Sequence, residues 1–189
     1  MSVEQRIAEM YNDYEVKPYI SPERDLATWL LEAKPVPKRN MVRLEEGLLP
    51  GDIILLWRIN FGTFETTTPY SKYFEYIYGI NGPEHMEQLI TDGYAYVESA
   101  FDSLDHITST AKKNILKAEG VTGLSKLKVA DLDAALKEYL TEEKLAPYFS
   151  VRGYALTEKG KSALDNHPEV IDKHPKKKCD QQGWSLFSS

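Results

Sequence analysis

Cysteine is almost missing: Cys179 is the only one in 189 residues, which excludes an internal disulfide and any structural zinc site built on several cysteines. Long apolar runs are missing too. Nothing approaches the roughly 20 residues needed to cross a bilayer, and Met1 to Tyr19 holds acids and no hydrophobic signal core. The expectation is a cytoplasmic protein with no membrane partner. Glycine-rich phosphate loops of the Gly-x-Gly-x-x-Gly or Gly-x-x-x-x-Gly-Lys type do not occur. Positive charge is in deficit, 23 Lys and Arg against 29 Asp and Glu for a net of -6, so any contact with a polyanion requires a local basic patch.

What is there is ordinary for a folded chain. Apolar residues make up 42% and charged residues 28%, enough to bury roughly 70% of the unfolded surface in one or two small domains. His85, His106, His167 and His174 lack the short spacing of a metal site on one helix. The carboxylates show no pairing that implies a raised pKa. Cys179 has lysines nearby but no partner histidine in view. No catalytic residues, cofactor or metal are expected, and the chain is read as a non-enzyme.

Along the chain, Val3, Ile7, Met10, Tyr11 and Tyr14 form an apolar stripe at helical spacing. Ser21 and Pro22 read as the cap and first position of a second helix burying Leu26, Trp29, Leu30 and Ala33. KPVPKRN at 34–40 reads as a stiff polar linker. Residues 1–47 are therefore expected to be an N-terminal helical arm with its linker. Ile53 to Ile59, apolar at nearly every position, is ambiguous by periodicity. Tyr70 to Tyr78 and Pro83 to Thr91 read as helices and the residues around Tyr94 and Tyr96 as a strand, so Ile53 to Ile59 becomes the first of three helices before a strand, as a winged helix begins.

The closing strand lies far downstream. YALTEKG at 154–160 resembles the last strand of many winged-helix domains, with Thr157 capping a final helix. The expected fold is mainly α with a small β-hairpin. It comprises the N-terminal helical arm, a winged-helix-like body at 48–100 and 150–166, an insert in the wing at 101–149, and a flexible Lys-containing tail at 167–189. Strands 94–98 and 153–157 should pair antiparallel.

The insert carries the functional signal. Ile115, Leu116 and Ala118 give one helix an apolar side with Lys112, Lys113 and Lys117 read as facing water, and Gly120 reads as its left-handed cap. A loop follows to Lys128. Val129, Leu132, Ala135, Leu136 and Leu140 then mark a second helix. Leu116, Lys117 and Gly120, then Gly123 and Lys126, then Ala130 and Leu132 resemble the helix-loop-helix of a SAP domain. The second helix carries Asp131 and Asp133 and lacks the Arg such domains often have near its end. The wider order, from ILLW to YALTEKG, is similar to SAP-domain proteins of Gram-positive bacteria and their phages.

That resemblance implies a non-catalytic module with weak, non-specific binding to DNA. Lys112, Lys113, Lys117, Lys126 and Lys128 would contact phosphates, helped by the loop amides around Gly123 and the second helix's N-terminus. The alternative is a protein-interaction or assembly component, phage-encoded, with no nucleic-acid contact, in which exposed aromatics meet a protein partner or a second copy. The insert is near neutral, with seven lysines and eight acids between 102 and 149, which is consistent with either.

Overall fold

The structure, a computed structural model, describes residues 1–32 and 34–175 of the chain. In chain order its α-helices and strands are α1 (Val3–Met10), α2 (Leu26–Glu32), α3 (Pro50–Asn60), α4 (Tyr73–Tyr76), α5 (Gly82–Thr91), β1 (Ala95–Val97), α6 (Ser109–Ala118), α7 (Val129–Tyr139), α8 (Glu142–Leu145), β2 (Tyr154–Leu156), α9 (Glu158–Asp165) and α10 (Pro168–Lys173). The fold is mainly helical with one small antiparallel sheet. Among the described residues no helix is long and apolar enough to cross a membrane. The chain divides into two compact units: one of 1–60, 69–95 and 156 onward, the other of 61–68 and 96–155.

The first unit is built around α3. Ile53, Ile54, Leu55 and Leu56 are all fully buried, and a helix covered on every side has no polar face for periodicity to detect. α5, α9, α10 and the 3-10 turn Lys38–Met41 pack against it. Pro50 fills its first position, and the Asp52 carboxylate reaches back to accept from the Leu49 N–H at 2.9 Å while its other oxygen meets His85 Nδ1 at 2.6 Å.

Three segments of this unit differ from the sequence reading. α2 starts at Leu26, not at Pro22, because Asp25 takes the cap role: its carboxylate accepts from the Thr28 N–H and hydroxyl, whereas the Ser21 hydroxyl accepts from Glu23. Ala33 lies outside the described residues. The 34–40 stretch is no solvated linker: Val36 and Asn40 are buried, with Val36 held through its N–H to the Tyr11 hydroxyl and its carbonyl by the Tyr14 hydroxyl. Residues 1–47 fall within the first unit. The aromatic helix is only the single turn of α4, with Tyr73, Phe74 and Tyr78 in the core.

The expected strand pairing is present. Thr157 N–H donates to the Tyr94 carbonyl at 3.1 Å and Glu98 N–H to Gly153 at 2.8 Å, which sets β1 and β2 antiparallel. Thr157 also caps α9, accepting from Gly160 N–H, and its hydroxyl donates to the Gly93 carbonyl at 2.6 Å. A third extended segment was not read from the sequence. Tyr154 N–H donates to Phe64, Thr66 N–H to Arg152, and a single bridge joins Glu65 to Gly153, so residues around β2 are bonded on both sides.

The second unit has its own core. Ala100, Leu104, Ile115, Leu116, Leu124, Leu132, Leu136, Leu140 and Leu145 form one buried cluster with Ala135 packed against it, whereas Ala118 and Val129, also read on the apolar faces of the two helices, are exposed. The Glu142 carboxylate closes the start of the segment by accepting from the Ala100 and Phe101 N–H groups.

Residues 167–175 were expected in a flexible tail and instead belong to the first unit as α10, which packs on α3 with Val170 buried. Pro168 at the first helical position favours the start of this short helix. The remainder of that expected tail, with Cys179 and its neighbouring lysines, lies outside the described residues.

Candidate nucleic-acid interface

The candidate surface sits in the second unit, where α6 hands over to the loop before α7. Thr108 caps α6 by accepting from Ala111 N–H at 3.1 Å. Ile115 and Leu116 turn inward, and Lys113 and Lys117, four residues apart, stand together on the outside. Gly120 ends the helix at φ 84°, and Gly123 bends the loop at φ 75°, a left-handed conformation that a side chain would strain. Leu124 then plugs the loop into the core.

This path leaves a concavity of about 540 Å³ lined by Lys113, Lys117, Thr122, Gly123, Ser125 and the backs of Val121 and Leu124. Val121 N–H is bonded to the Leu116 carbonyl, but those of Thr122, Gly123 and Ser125 donate to no backbone carbonyl among the described residues. Lysine ammonium groups and backbone N–H groups are the kinds of donor an anionic oxygen accepts from. The concavity is lined by lysine, hydroxyl and apolar side chains, with no carboxylate or imidazole among them.

The six residues nominated from sequence separate into three groups. Lys113, Lys117 and Gly123 come together in the concavity. Lys126 and Lys128 are exposed further along the loop and do not line it. Lys112 departs from the expectation of a water-facing side chain: it is 2% exposed, with Nζ 2.7 Å from Asp133 Oδ1 on α7. Its position three and four residues before Ile115 and Leu116 puts it on the buried stripe of α6, and that spacing was the legible signal. The ion pair ties α6 to α7 and removes Lys112 from phosphate contact.

The N-terminus of α7 is also engaged, since the Asp131 carboxylate accepts from the Lys128 N–H at 3.2 Å, neutralising the end that was expected to attract an anion. In the first unit, α5 is the helix that would enter a DNA groove in a helix-turn-helix, yet it has no Lys or Arg and exposes Glu84 and Glu87. Phosphates on either side of a groove would repel it.

A polar cluster in the second unit was not apparent from sequence. His106 Nδ1 lies 2.9 Å from Glu65 Oε2, and its Nε2, buried without a hydrogen-bond partner, lies 3.6 Å from Asp105 Oδ1. Burial, with Asp105 adding to it, holds the Glu98 carboxyl above its ordinary range. Gly153 lies against this cluster: a Cβ there would stand 2.3 Å from Glu98 Oε1 and 2.6 Å from His106 Nε2, so any side chain would displace them. Among the described residues no group of three or more His, Cys, Asp or Glu is arranged to hold a metal ion. No protein-family model, curated protein or solved structure matches this chain.

Proposed function

We propose that the chain is a non-catalytic binding module whose second unit makes weak, sequence-independent contact with the DNA backbone through Lys113, Lys117 and the loop at 121–125. The observation that carries this reading is that Lys113, Lys117 and the loop residues Thr122, Gly123 and Ser125 line one concavity. Two helices around a left-handed Gly120 and a Gly-containing loop support the SAP-like reading of 107–149. The order α3, paired segment at 64–66, α4, α5, β1, insert, β2, α9 supports a winged-helix-like body carrying that insert.

Binding by so few charges is weak, micromolar or poorer in order of magnitude at physiological salt. Changing Lys113 and Lys117 together to Glu should lower affinity for duplex DNA at least about tenfold, while Lys126 and Lys128 together to Glu should have a smaller effect. Fluorescence anisotropy with a labelled duplex measures both. Equal losses in the two variants would remove the concavity from the reading.

A protein-interaction or assembly role is the second reading. It is favoured by the exposure of Tyr139 at 54% and Tyr96 at 46%, and by the acidic outer face of α5, neither of which serves a polyanion. Binding that survives high salt and needs those tyrosines would support it.

A further inference from the structure

The helix α10 is fastened at both ends by buried histidines. His167, its N-cap, is 8% exposed and His174, its C-cap, 7%. At the far end the Tyr78 hydroxyl and His174 Nδ1 are 2.5 Å apart, with the Trp57 ring edge-on to the imidazole. At the near end His167 meets two carboxylates. Nδ1 is 3.0 Å from Glu169 Oε1, and Nε2 is 2.8 and 2.7 Å from the two oxygens of Glu46. A neutral imidazole has one N–H to give, whereas ionised carboxylates only accept, so satisfying both partners takes a proton on each ring nitrogen.

Glu169, Val170 and Lys173 of α10 form one wall of a small cavity whose other walls include Leu44, Pro50 and Tyr78. Other charged groups of the described residues stand near the helix, Asp172 on the helix itself among them. Lys173 acts on Glu169 and Asn166 bonds to Glu46. Arg39 stands at the cavity wall and acts on Tyr78. On α3, Asp52 is engaged by Leu49 and His85, and Arg58 donates to the Tyr73 hydroxyl. None of these replaces the donor that His167 supplies between Glu46 and Glu169.

We propose that residues 167–174 are a proton-controlled strap, docked while a doubly protonated His167 bridges Glu46 and Glu169 and loosened as pH rises. Burial works against the charge on His167, but its bonds to Glu169 and Glu46 outweigh it and raise the pKa. Such a contribution is fully present below the ordinary His value of about 6.5 and is lost as pH climbs through the raised folded value. Burial likewise opposes ionisation of Glu46, yet its own backbone N–H and His167 bring it below the carboxylate range. Glu169 is lowered by its backbone N–H and by His167. Their part is present above about pH 4.5 and is lost as pH falls through the depressed values. The strap is therefore tightest between roughly pH 5 and 6.5.

Amide hydrogen exchange on the full chain, corrected for intrinsic rates and compared at pH 5.5, 7.0 and 8.5, tests this. The opening equilibrium of 168–173 should rise about tenfold for every unit by which the folded pKa of His167 exceeds its unfolded one, while amides of α3 stay protected. His167→Gln should open the strap at all three values and abolish the dependence, and Glu46→Gln should reduce it. Equal α10 protection at pH 5.5 and 8.5 in the unaltered chain, or the same pH dependence in His167→Gln, would overturn the proposal. If His167→Gln also loses α3 protection, the imidazole NMR titration of the unaltered chain decides. His167 must titrate above the ordinary histidine range on the same curve as the α10 amide shifts, and a titration at or below that range refutes the strap.

Discussion

Gly160→Ala is expected to destabilise the first unit by about 3 kcal/mol, the upper end for overpacking a filled site. A Cβ at this position would lie 2.0 Å from the Tyr94 carbonyl oxygen and 3.0 Å from its carbon, and backbone cannot step aside as a side-chain tip can. That same carbonyl accepts the Thr157 N–H that closes the β1–β2 pairing, and Gly160 N–H itself donates to the Thr157 hydroxyl. One added methyl group thus pushes apart the sheet, the cap and α9 together. With total stability of about 5–15 kcal/mol for a domain, the urea midpoint should fall sharply, whereas Ser162→Ala on the exposed side of α9 should leave it in place. An unchanged midpoint for Gly160→Ala would mean that α9 does not sit this close to β1.

Leu132→Ala is the second large effect, at about 2–5 kcal/mol. Leu132 is fully buried, in the same cluster as Leu116, Leu136 and Leu145, and no polar group stands ready to fill the space with water. Val129→Ala, one turn earlier on α7 and 53% exposed, is the matched control and should be nearly neutral. Because the cluster is made of residues between 100 and 149, hydrogen exchange should speed up in α6 and α7 first, with α3 little affected. A loss below about 1 kcal/mol would show a loosely packed insert.

The helices with one apolar stripe were legible. α6 and α7, with their turn at Gly120 and further turn before Pro147, follow from spacing and punctuation alone, as does Thr157 at the head of α9. Three kinds of feature were not. α3 is buried all round, so only the elements after it gave it away. The 64–66 segment owes its extended form to bonds with 152–154, nearly ninety residues downstream, and such pairing leaves no local pattern. α10 has a single buried apolar residue, and its hold comes from His167 and His174, whose partners Glu46 and Tyr78 are distant in sequence.

The candidate site was partly legible for the same reason. Lys113, Lys117 and Gly123 were found because their neighbours in space are also neighbours in sequence. Lys112 was misassigned as water-facing because its type outweighed its position: a lysine on the apolar stripe can bury its stem when a carboxylate such as Asp133 meets the ammonium group. That Lys126 and Lys128 stand outside the concavity depends on the loop's path, which left-handed glycines set and composition does not.

Two lysines and a loop of the second unit are proposed to grip phosphate. The most direct measurement is the salt dependence of binding to a duplex of random sequence, by anisotropy, using the chain ended after Pro175 so that Lys176, Lys177 and Lys178 contribute nothing. If Lys113 and Lys117 neutralise two phosphates, the logarithm of the binding constant should fall against the logarithm of salt with a slope of about -2, and Lys113→Glu with Lys117→Glu should lower affinity at least about tenfold and flatten that slope. No binding at low ionic strength, or a slope unchanged in that double variant, would contradict it.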